Sequence, residues 1–280
     1  MSKEIMSVNN DTTNSIINIT SKINKKKAMS SEKASKVKKD GHSNEDEFAL
    51  LLPGSFVVSG TGKTDVQYKE FSFSLKKICK RIQLALYSIK SKNWLESSPS
   101  AMLCKDCLTI YPKTFEEYTN NKNMYKELLR EKMINLKNHL SIRENLSEYL
   151  NLIIFKNGEV DFLVMKDKDS QYIYYSTEVL NVLLDNIEIF NSVAMKKGDF
   201  PEQKVIIKSK NNNNKLTNLI EIEIRNSSEG HYAQMLCVCN RDNLFNLLNN
   251  NIEKTKMTNN TTSETNIVLK GESINLLSEI

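Results

Sequence analysis

Between residues 45 and 253 the apolar residues change their spacing repeatedly, from every second position to every third or fourth. Spacing at every second position is typical of a strand with one buried face, and the longer spacing is typical of an amphipathic helix. The pattern therefore predicts a single α+β domain over 45–253. We expect its strands to form a small, partly closed β-barrel decorated by helices.

Both ends of the chain are polar. Residues 1–44 hold nine lysines against four acidic residues, an excess equal to the net charge of +5 of the whole chain. Such a segment cannot bury enough apolar surface to offset the entropy of ordering, so we expect 1–44 to be a disordered basic arm. The same polar composition predicts a flexible tail over 254–280. It stays open whether the apolar run Ile267–Leu269 docks on the domain as a short terminal element.

Composition bears on the compartment. No window reaches 18 consecutive apolar residues, and the N-terminus lacks the charged and then apolar order of a secretory signal. The five cysteines are too few for a disulfide scaffold in a chain of 280 residues. We expect a soluble, intracellular protein with reduced thiols and no membrane partner.

The first part of the domain divides by local pattern. Phe48–Leu52 and Ser55–Val58 predict short strands, and Val66–Leu75 alternates as a further strand. The turn between them is expected at Ser59–Lys63. From Leu75 to Ile89 apolar residues recur at three- and four-residue intervals, which predicts an amphipathic helix with a basic outer face.

The second part begins with a charged helical pattern over Phe115–Leu150, broken near His139–Ser141. Asn157-Gly158 supplies the positive φ angles of a tight turn and predicts a hairpin of Leu152–Phe155 with Val160–Met165. The remaining predictions are a strand at Gln171–Ser176, a helix at Thr177–Asp185, paired strands at Lys204–Lys208 and Leu219–Arg225, and a strand at Tyr232–Val238.

The stretch GTGKT at 60–64 resembles the end of a phosphate-binding P-loop. That motif needs a glycine five positions before Gly62, where Val57 stands, and a helix that begins at Lys63-Thr64. The residues after Thr64 alternate as a strand instead. A glycine-rich hairpin turn is the preferred interpretation, and a P-loop-like nucleotide-binding site is the weaker alternative.

The motif CKDC, with Cys104 and Cys107, has the spacing of a zinc ligand pair, and Cys237, Cys239 and His231 are the residues that could complete a site. Buried cysteines in an apolar stretch are the more common case. The three histidines have no nucleophile signature beside them in the sequence. We expect no bound metal, no cofactor and no enzymatic activity.

The stretch from Lys63 to Trp94 carries eight basic residues against two acidic ones, with aromatic residues between them. Lysines bind phosphates with release of counterions, and aromatic faces stack on bases at about 1–3 kcal/mol each. The alternative, that Phe71, Phe73 and Tyr87 are core residues, stays open. The candidate nucleic-acid-binding residues are Lys63, Tyr68, Lys69, Phe71, Phe73, Lys76, Lys77, Lys80, Arg81, Lys90, Lys92 and Trp94.

Three stretches resemble a known family. They are SFVVSGTGKTDVQYKEFSFSLKK (55–77), ALYSIKSKNWLESSPSAMLCKDCLTIYPKTFEE (85–117) and HLSIRENLSEYLNLIIFKNGEVDFLVMKD (139–167). In order and spacing they are similar to the single-stranded DNA-binding replication protein of poxviruses, as a divergent, entomopoxvirus-like member. One departure is the chain end, GESINLLSEI, where that family has an acidic tail.

The resemblance implies an oligonucleotide-binding β-barrel, no cofactor, and binding to exposed strands at viral replication sites in the host cytoplasm. Together with the basic and aromatic stretch, it predicts sequence-tolerant binding of single-stranded DNA, with RNA and self-association along the strand left open. The alternative from another class is a non-enzymatic viral structural or adaptor protein that binds a protein partner.

Overall fold

The computed structural model describes residues 42–59, 62–76, 80–88, 98–167, 170–194, 200–210, 215–252, 254–255 and 266–270. The chain divides into two compact units, Met1–His42 and Ser43–Ile280. The helices and strands described below lie in the second unit, except that the first residue of the first helix, His42, belongs to the first unit. Helices and strands alternate, which confirms the mixed α+β class. Of the arm predicted for 1–44, residues 1–41 lie outside the described residues, and 42–44 begin a helix.

The elements have the following bounds. The described strands are β1 Phe56–Val57, β2 Val66–Tyr68, β3 Phe71–Lys76, β4 Arg81–Ser88, β5 Phe162–Asp167, β6 Ser170–Tyr175, β7 Ile187–Asn191, β8 Lys204–Lys210, β9 Leu216–Arg225, β10 Gln234–Asn240, β11 Lys254–Thr255 and β12 Asn266–Lys270. The described helices are α1 42–50, α2 Pro99–Thr109, α3 Phe115–Asn120, α4 Lys122–Leu140, α5 Arg143–Phe155, α6 Ser176–Asn186 and α7 Arg241–Asn251, with a short 3-10 turn at Glu229–His231.

One sheet has seven strands in the order β1-β2-β3-β5-β6-β12-β11. Neighbouring strands run antiparallel except β3 with β5 and β6 with β12, which are parallel. Helix α1 lies against this sheet, with the Phe48 ring 5.4 Å from Phe73, and Phe73 stacks on Phe162 at 5.0 Å. These rings, with Leu52 and Val164, form a small separate core.

The other sheet has five antiparallel strands in the order β4-β10-β9-β8-β7. Side chains that alternate along these strands, such as Ile82, Ile207, Ile222 and Met235, are buried in the large core that the sheet shares with α2, α4 and α5. The side chains between them point the other way, as the period of two in a strand requires. Most side chains on this second face are only partly buried or exposed. The candidate site lies on this face.

The expected barrel is not closed among the described strands. The two sheets are open, because β1 and β11 end one sheet and β4 and β7 end the other. The range predicted as a flexible tail, 254–280, supplies β11 and β12, and β12 includes the run Ile267–Leu269. Its other residues lie outside the described ranges.

The helix predicted over Leu75–Ile89 is wrong for Arg81–Ser88, which forms β4 paired with β10 along its length. The pairing shifts register opposite Cys237 and Val238, so Leu84 and Ala85 are both buried. A bulge of this kind breaks the strict alternation of a strand. The resulting spacing of Ile82, Leu84, Ala85 and Tyr87 imitates helical periodicity.

The hairpin predicted at Asn157-Gly158 is also wrong, because Leu152–Phe155 is the last turn of α5. Lys156, Asn157 and Gly158 do adopt positive φ angles, of 51°, 59° and 87°. A left-handed residue after a helix satisfies the last free carbonyls, so the same residues that suit a hairpin turn here end a helix. Phe48–Leu52, predicted as a strand, likewise contains the end of α1.

The connection from α5 to β5 is tied to β3 by Asp161. Its Oδ2 atom accepts from the Ser72 backbone N–H at 2.8 Å and from the Ser72 hydroxyl at 2.7 Å. Replacing Asp161 with alanine leaves a buried backbone donor without its acceptor. We expect the free energy of unfolding to fall by about 2 kcal/mol, as for hydrogen bonds to a charged group.

Urea denaturation measures this loss, with Glu131→Ala on the exposed side of α4 as the control. A loss in Asp161→Ala no larger than in the control would contradict the assigned role of Asp161.

No helix within the described ranges combines the length and the apolar character that crossing a lipid bilayer requires.

Candidate nucleic-acid interface

Two of the predicted stacking rings belong to the interior. Tyr68 is 5% exposed and Phe73 is 1% exposed. Both lie in the core between α1 and the seven-stranded sheet. Their assignment as base-stacking residues is therefore corrected to core positions, in agreement with the alternative left open above. Tyr87 is also fully buried.

Phe71 and Lys69 lie at the turn between β2 and β3. Phe71 is half-buried, with its ring edge-on to Phe162 at 5.8 Å. Lys69 is exposed, and its ammonium lies 5.3 Å from the centre of the Tyr68 ring. This turn presents one cation and part of one ring to solvent.

The ammonium groups of Lys63 and Lys76 are engaged inside the protein. Lys63 Nζ donates a hydrogen bond to the backbone carbonyl of Leu84 on β4. Lys76 Nζ donates to the Ser74 hydroxyl at 2.7 Å and lies 3.9 Å from the Asp65 carboxylate. Neither group lies on a freely exposed phosphate-binding surface.

The remaining predicted residues separate into two groups. Lys77, Lys90, Lys92 and Trp94 lie outside the described residues. Lys80 and Arg81 are exposed at the start of β4. The described structure therefore does not bring the predicted residues together in one groove. Among those that it describes, Arg81 alone is part of a broad exposed surface.

That surface is the outer face of the five-stranded sheet, named the open face below. Register places Leu86 beside Leu236, Leu236 beside Glu223, and Glu223 beside Lys204 across four strands. One row further, Ile206 stands between Glu221 and Phe190. The open face comprises Arg81, Gln83, Leu86, Glu188, Phe190, Lys204, Ile206, Lys208, Lys210, Glu221, Glu223, Arg225 and Leu236, and the buried side chain of Val238 lies between Gln83 and Glu221.

Charges in the middle of the open face are paired. Arg81 lies 3.5 Å from Glu221 and 3.9 Å from Glu223. Lys204 approaches the same two carboxylates, at 3.3 Å from Glu221 and closer still to Glu223. Burial alone would lower the pKa of Lys204. Glu223 and Glu221 accept hydrogen bonds from its ammonium and carry negative charge, and together these effects outweigh burial and raise the pKa.

One corner of the open face combines a cation with a ring. The Lys208 ammonium lies 4.8 Å from the centre of the Phe190 ring, which is half-buried on β7. Lys210 lies 3.4 Å from Glu188 at the same end of the sheet. A cation on an accessible ring is the pairing that single-stranded nucleic acid uses for phosphate and base contacts.

Sequence reasoning missed most of the open face. Lys204–Lys208 was predicted as a strand, but its outward lysines were not linked to Arg81, which is more than a hundred residues away. A usable signal was the alternation Lys204, Ile206, Lys208, Lys210 in a strand whose other residues are apolar or small. That alternation shows that these side chains share one face of a strand. Only the strand order of the sheet shows that this face continues to β4.

The half-buried position of Lys63 has a measurable consequence. Burial chiefly, and then the ammonium of Lys76, lower the pKa of Lys63 from its usual 10.5 to about 8. Below pH 8 the folded and unfolded chains both carry this proton. Between about 8 and 10.5 the unfolded chain binds more protons, so the free energy of unfolding should rise with pH.

We expect a rise of about 1–3 kcal/mol from Lys63 across this interval. Above about pH 9 the buried thiols of Cys104 and Cys237 act in the opposite direction, since burial raises their pKa to about 12. Denaturation of the wild type and of Lys63→Met at stepped pH isolates the Lys63 contribution as a difference. Identical pH profiles for the two proteins would contradict the buried state of Lys63.

The structure places a serine beside a histidine, which the sequence did not indicate. Ser100 Oγ lies 3.0 Å from His139 Nε2 and 3.0 Å from Glu148 Oε2, and Asn145 Nδ2 lies 3.2 Å from His139 Nδ1. Because the carboxylate only accepts, Ser100 donates to Glu148, His139 donates to Ser100, and Asn145 donates to His139. Ser100 is fully buried. The cluster therefore ties α2, α4 and α5 together and does not present an activated nucleophile.

The cysteines considered for zinc are spread through the main core. Cys104 and Cys107 lie on the buried side of α2, and Cys104 Sγ is 3.7 Å from the Tyr149 hydroxyl. Cys237 and Cys239 are buried on β10, and His231 lies in the 3-10 turn. Within the described ranges, no group of three or more His, Cys, Asp or Glu side chains is arranged to hold a metal ion.

Comparison of the chain with protein-family models, with curated proteins and with solved structures finds no match.

Proposed function

We propose that the protein binds single-stranded DNA in a sequence-tolerant way, with the strand lying across the open face. The observation that supports this most is the Lys208–Phe190 pair, in which a cation and a half-buried ring lie together on the less covered face of the five-stranded sheet. Five basic residues share the open face with three acidic ones, so its net charge favours a polyanion.

The chemistry of the open face divides into two roles. Phe190, Leu86 and Leu236 offer apolar contact to unstacked bases, at about 1–3 kcal/mol for a stacked ring. Lys208, Lys210 and Arg225 at its margins contact phosphates, and each neutralised phosphate releases counterions. Lys80, at the start of β4, and Lys69, on the β2–β3 turn, extend the set of exposed cations.

The wider setting belongs to the same proposal. A role in viral DNA replication in the host cytoplasm and self-association along the strand follow from the resemblance to the poxvirus family, and RNA is the second nucleic acid to compare. Binding on the open face does not need a closed oligonucleotide-binding barrel, because an open sheet with exposed rings and cations supplies the same contacts.

Fluorescence anisotropy with a labelled oligothymidine of about 20 nucleotides tests this proposal. We expect Phe190→Ala and Lys208→Met each to weaken binding by about tenfold, with Lys208→Met also lowering the salt slope by about one. Lys122→Met, an exposed lysine at the start of α4, is the matched control. Wild-type protein that shows no salt-sensitive binding, or variants that bind as tightly as the control, would remove the open face from consideration.

A protein-binding adaptor is the second candidate, supported by exposed apolar side chains on the helices. Met124 and Leu128 lie one turn apart on α4 and are 51% and 43% exposed. The double substitution of both by serine separates the two functions. Retained DNA binding in that variant, with loss in Phe190→Ala, favours the nucleic-acid role. Capture of a protein partner by a wild type that does not bind DNA, with loss of that capture in the double variant, favours the adaptor.

A further inference from the structure

The strands that end the two sheets differ in how their free edges are protected. Strands β1 and β11 have two residues each. On β4 the Leu84 carbonyl accepts a hydrogen bond from the Lys63 ammonium, and the register shifts along the strand. Strand β7 has five residues, an unbroken register with β8, and neither proline nor lysine. Short length, bulges, prolines and lysines keep a free edge from pairing with another chain, so β7 is the least protected of the described edges.

Backbone groups along β7 alternate between its partner strand and its free edge. Asn191 lies opposite Val205 in register, and the Ser192 N–H donates to the Lys204 carbonyl at 3.0 Å. Ser192 therefore directs its backbone groups toward β8, and the residues at odd-numbered positions direct theirs to the other side. The N–H and C=O groups of Ile189 and Asn191 thus face the free edge, where no described strand pairs with them.

The side chains of β7 suit pairing of this edge with a second copy of itself. Its one charged residue, Glu188, lies 3.4 Å from Lys210 of the same chain, so its charge is offset. Phe190 is half-buried on the open face. Val193, just beyond the strand, is 72% exposed, which is unusual for a β-branched apolar side chain next to a sheet.

One antiparallel register of β7 with the β7 of a second copy uses all of these features. It places a two-fold axis at Phe190, so that the two rings meet as a cross-strand pair on the open face. Residues whose backbone groups face the free edge then stand opposite each other and exchange hydrogen bonds. The exposed valine gains an isoleucine of the second copy, and the two glutamates stay apart. The paired residues are Phe190 with Phe190, Ile189 with Asn191, Glu188 with Ser192, and Ile187 with Val193.

We propose that a second copy of this chain pairs antiparallel with β7 in this register, which joins two five-stranded sheets into one continuous sheet. The pairing closes after two copies because it is two-fold symmetric. Directly opposite residues of an antiparallel pair point to the same side, so the open faces of the two copies also join. That one DNA strand crosses both open faces rests on the proposed function, whereas the pairing itself does not.

Sedimentation velocity of the full chain without DNA, at about 1–200 μM, tests the pairing, because one pair of strands is a small interface that dissociates in the micromolar range. We expect a dimer to form across this range. Ile189→Pro should weaken association by about tenfold or more, since proline removes an edge-facing N–H and is tolerated on an edge strand. Val193→Asp, at an exposed position, replaces it if that variant does not fold.

Phe56→Ala, at the exposed edge strand of the other sheet, is the control and should associate as the wild type does. A wild type that stays monomeric over the whole range would overturn the proposal. Association of Ile189→Pro and Val193→Asp with the affinity of the wild type would overturn it as well.

Disulfide cross-linking under mild oxidation tests the register. Phe190→Cys should form a covalent dimer, because directly opposite residues bring their Cβ atoms to about 4.5–5.5 Å. Glu188→Cys is the matched control on the same face of β7, and its copy lies about 13 Å away along the strands. Wild-type protein gives the background from the native cysteines. Equal cross-linking of the two variants would contradict a two-fold axis at Phe190.

Oligothymidines of about 10 and about 40 nucleotides separate the pairing from DNA binding, since the shorter one is the length of a single-copy site. The ratio of the two affinities should be about tenfold lower in Ile189→Pro than in the wild type, because a joined face holds both copies on one strand. Self-association by a chain that does not bind DNA refutes the proposed function and supports the pairing. DNA binding by a chain that never self-associates does the reverse.

Discussion

Replacing Phe73 with alanine is expected to lower the free energy of unfolding by about 3–5 kcal/mol, the usual range for a large aromatic core residue. The Phe73 ring is 1% exposed and contacts Phe48 at 5.4 Å and Phe162 at 5.0 Å. Alanine would leave a cavity between α1 and the seven-stranded sheet that these stacked rings are poorly able to fill. Urea denaturation monitored by circular dichroism measures the loss.

Phe56→Ala is the matched control, because Phe56 lies on the same sheet but is 58% exposed. We expect it to change the free energy of unfolding by less than about 0.5 kcal/mol. Under conditions where Phe73→Ala remains folded, its affinity for oligothymidine should equal that of the wild type. A stable Phe73→Ala protein with much weaker DNA binding would return Phe73 to the role of a stacking residue.

The double substitution Glu221→Gln, Glu223→Gln should strengthen DNA binding by about tenfold or more at low salt. The two carboxylates lie at the centre of the open face, where they pair with Arg81 and Lys204 and repel phosphates. Glutamine keeps their size and removes two negative charges, which frees both cations for the strand. The salt slope should steepen by about one to two for the same reason.

Stability is expected to change little in this variant, because partly exposed ion pairs contribute about 0–1 kcal/mol each. Glu131→Gln on α4 is the control for a general change in net charge, and it should leave affinity within about twofold of the wild type. Anisotropy at about 50 and 200 mM salt measures both effects. Unchanged or weaker binding by the double variant would mean that the strand does not cross the centre of the open face.

Local pattern predicted those elements whose periodicity is undisturbed. The alternation in Lys204–Lys208 and Leu219–Arg225 found the paired strands β8 and β9, and Thr177–Asp185 found α6. It failed at β4, where a bulge against β10 buries Leu84 and Ala85 together. It also failed after α5, because left-handed residues serve a helix end and a hairpin turn equally well.

Prediction of the site was limited by a different cause. Composition located cations and rings in the stretch 63–94, but alternation does not say which face of a strand another element covers. Helix α1 covers the rings of Tyr68 and Phe73, whereas the outer side of Arg81 stays open. Phe190 and Lys208 join Arg81 through contacts between strands far apart in the chain, and such contacts leave no mark in a local pattern.

Ultraviolet cross-linking of the protein to an oligothymidine, followed by mass spectrometry of the peptides, tests the open face most directly. Cross-links are expected within β7–β9, at or beside Phe190 and Ile206, with further ones near Leu86 on β4. They should become much weaker at high salt and in Phe190→Ala. Cross-links confined to α2 and α4, or absent from the five-stranded sheet while DNA is bound, would contradict binding at the open face.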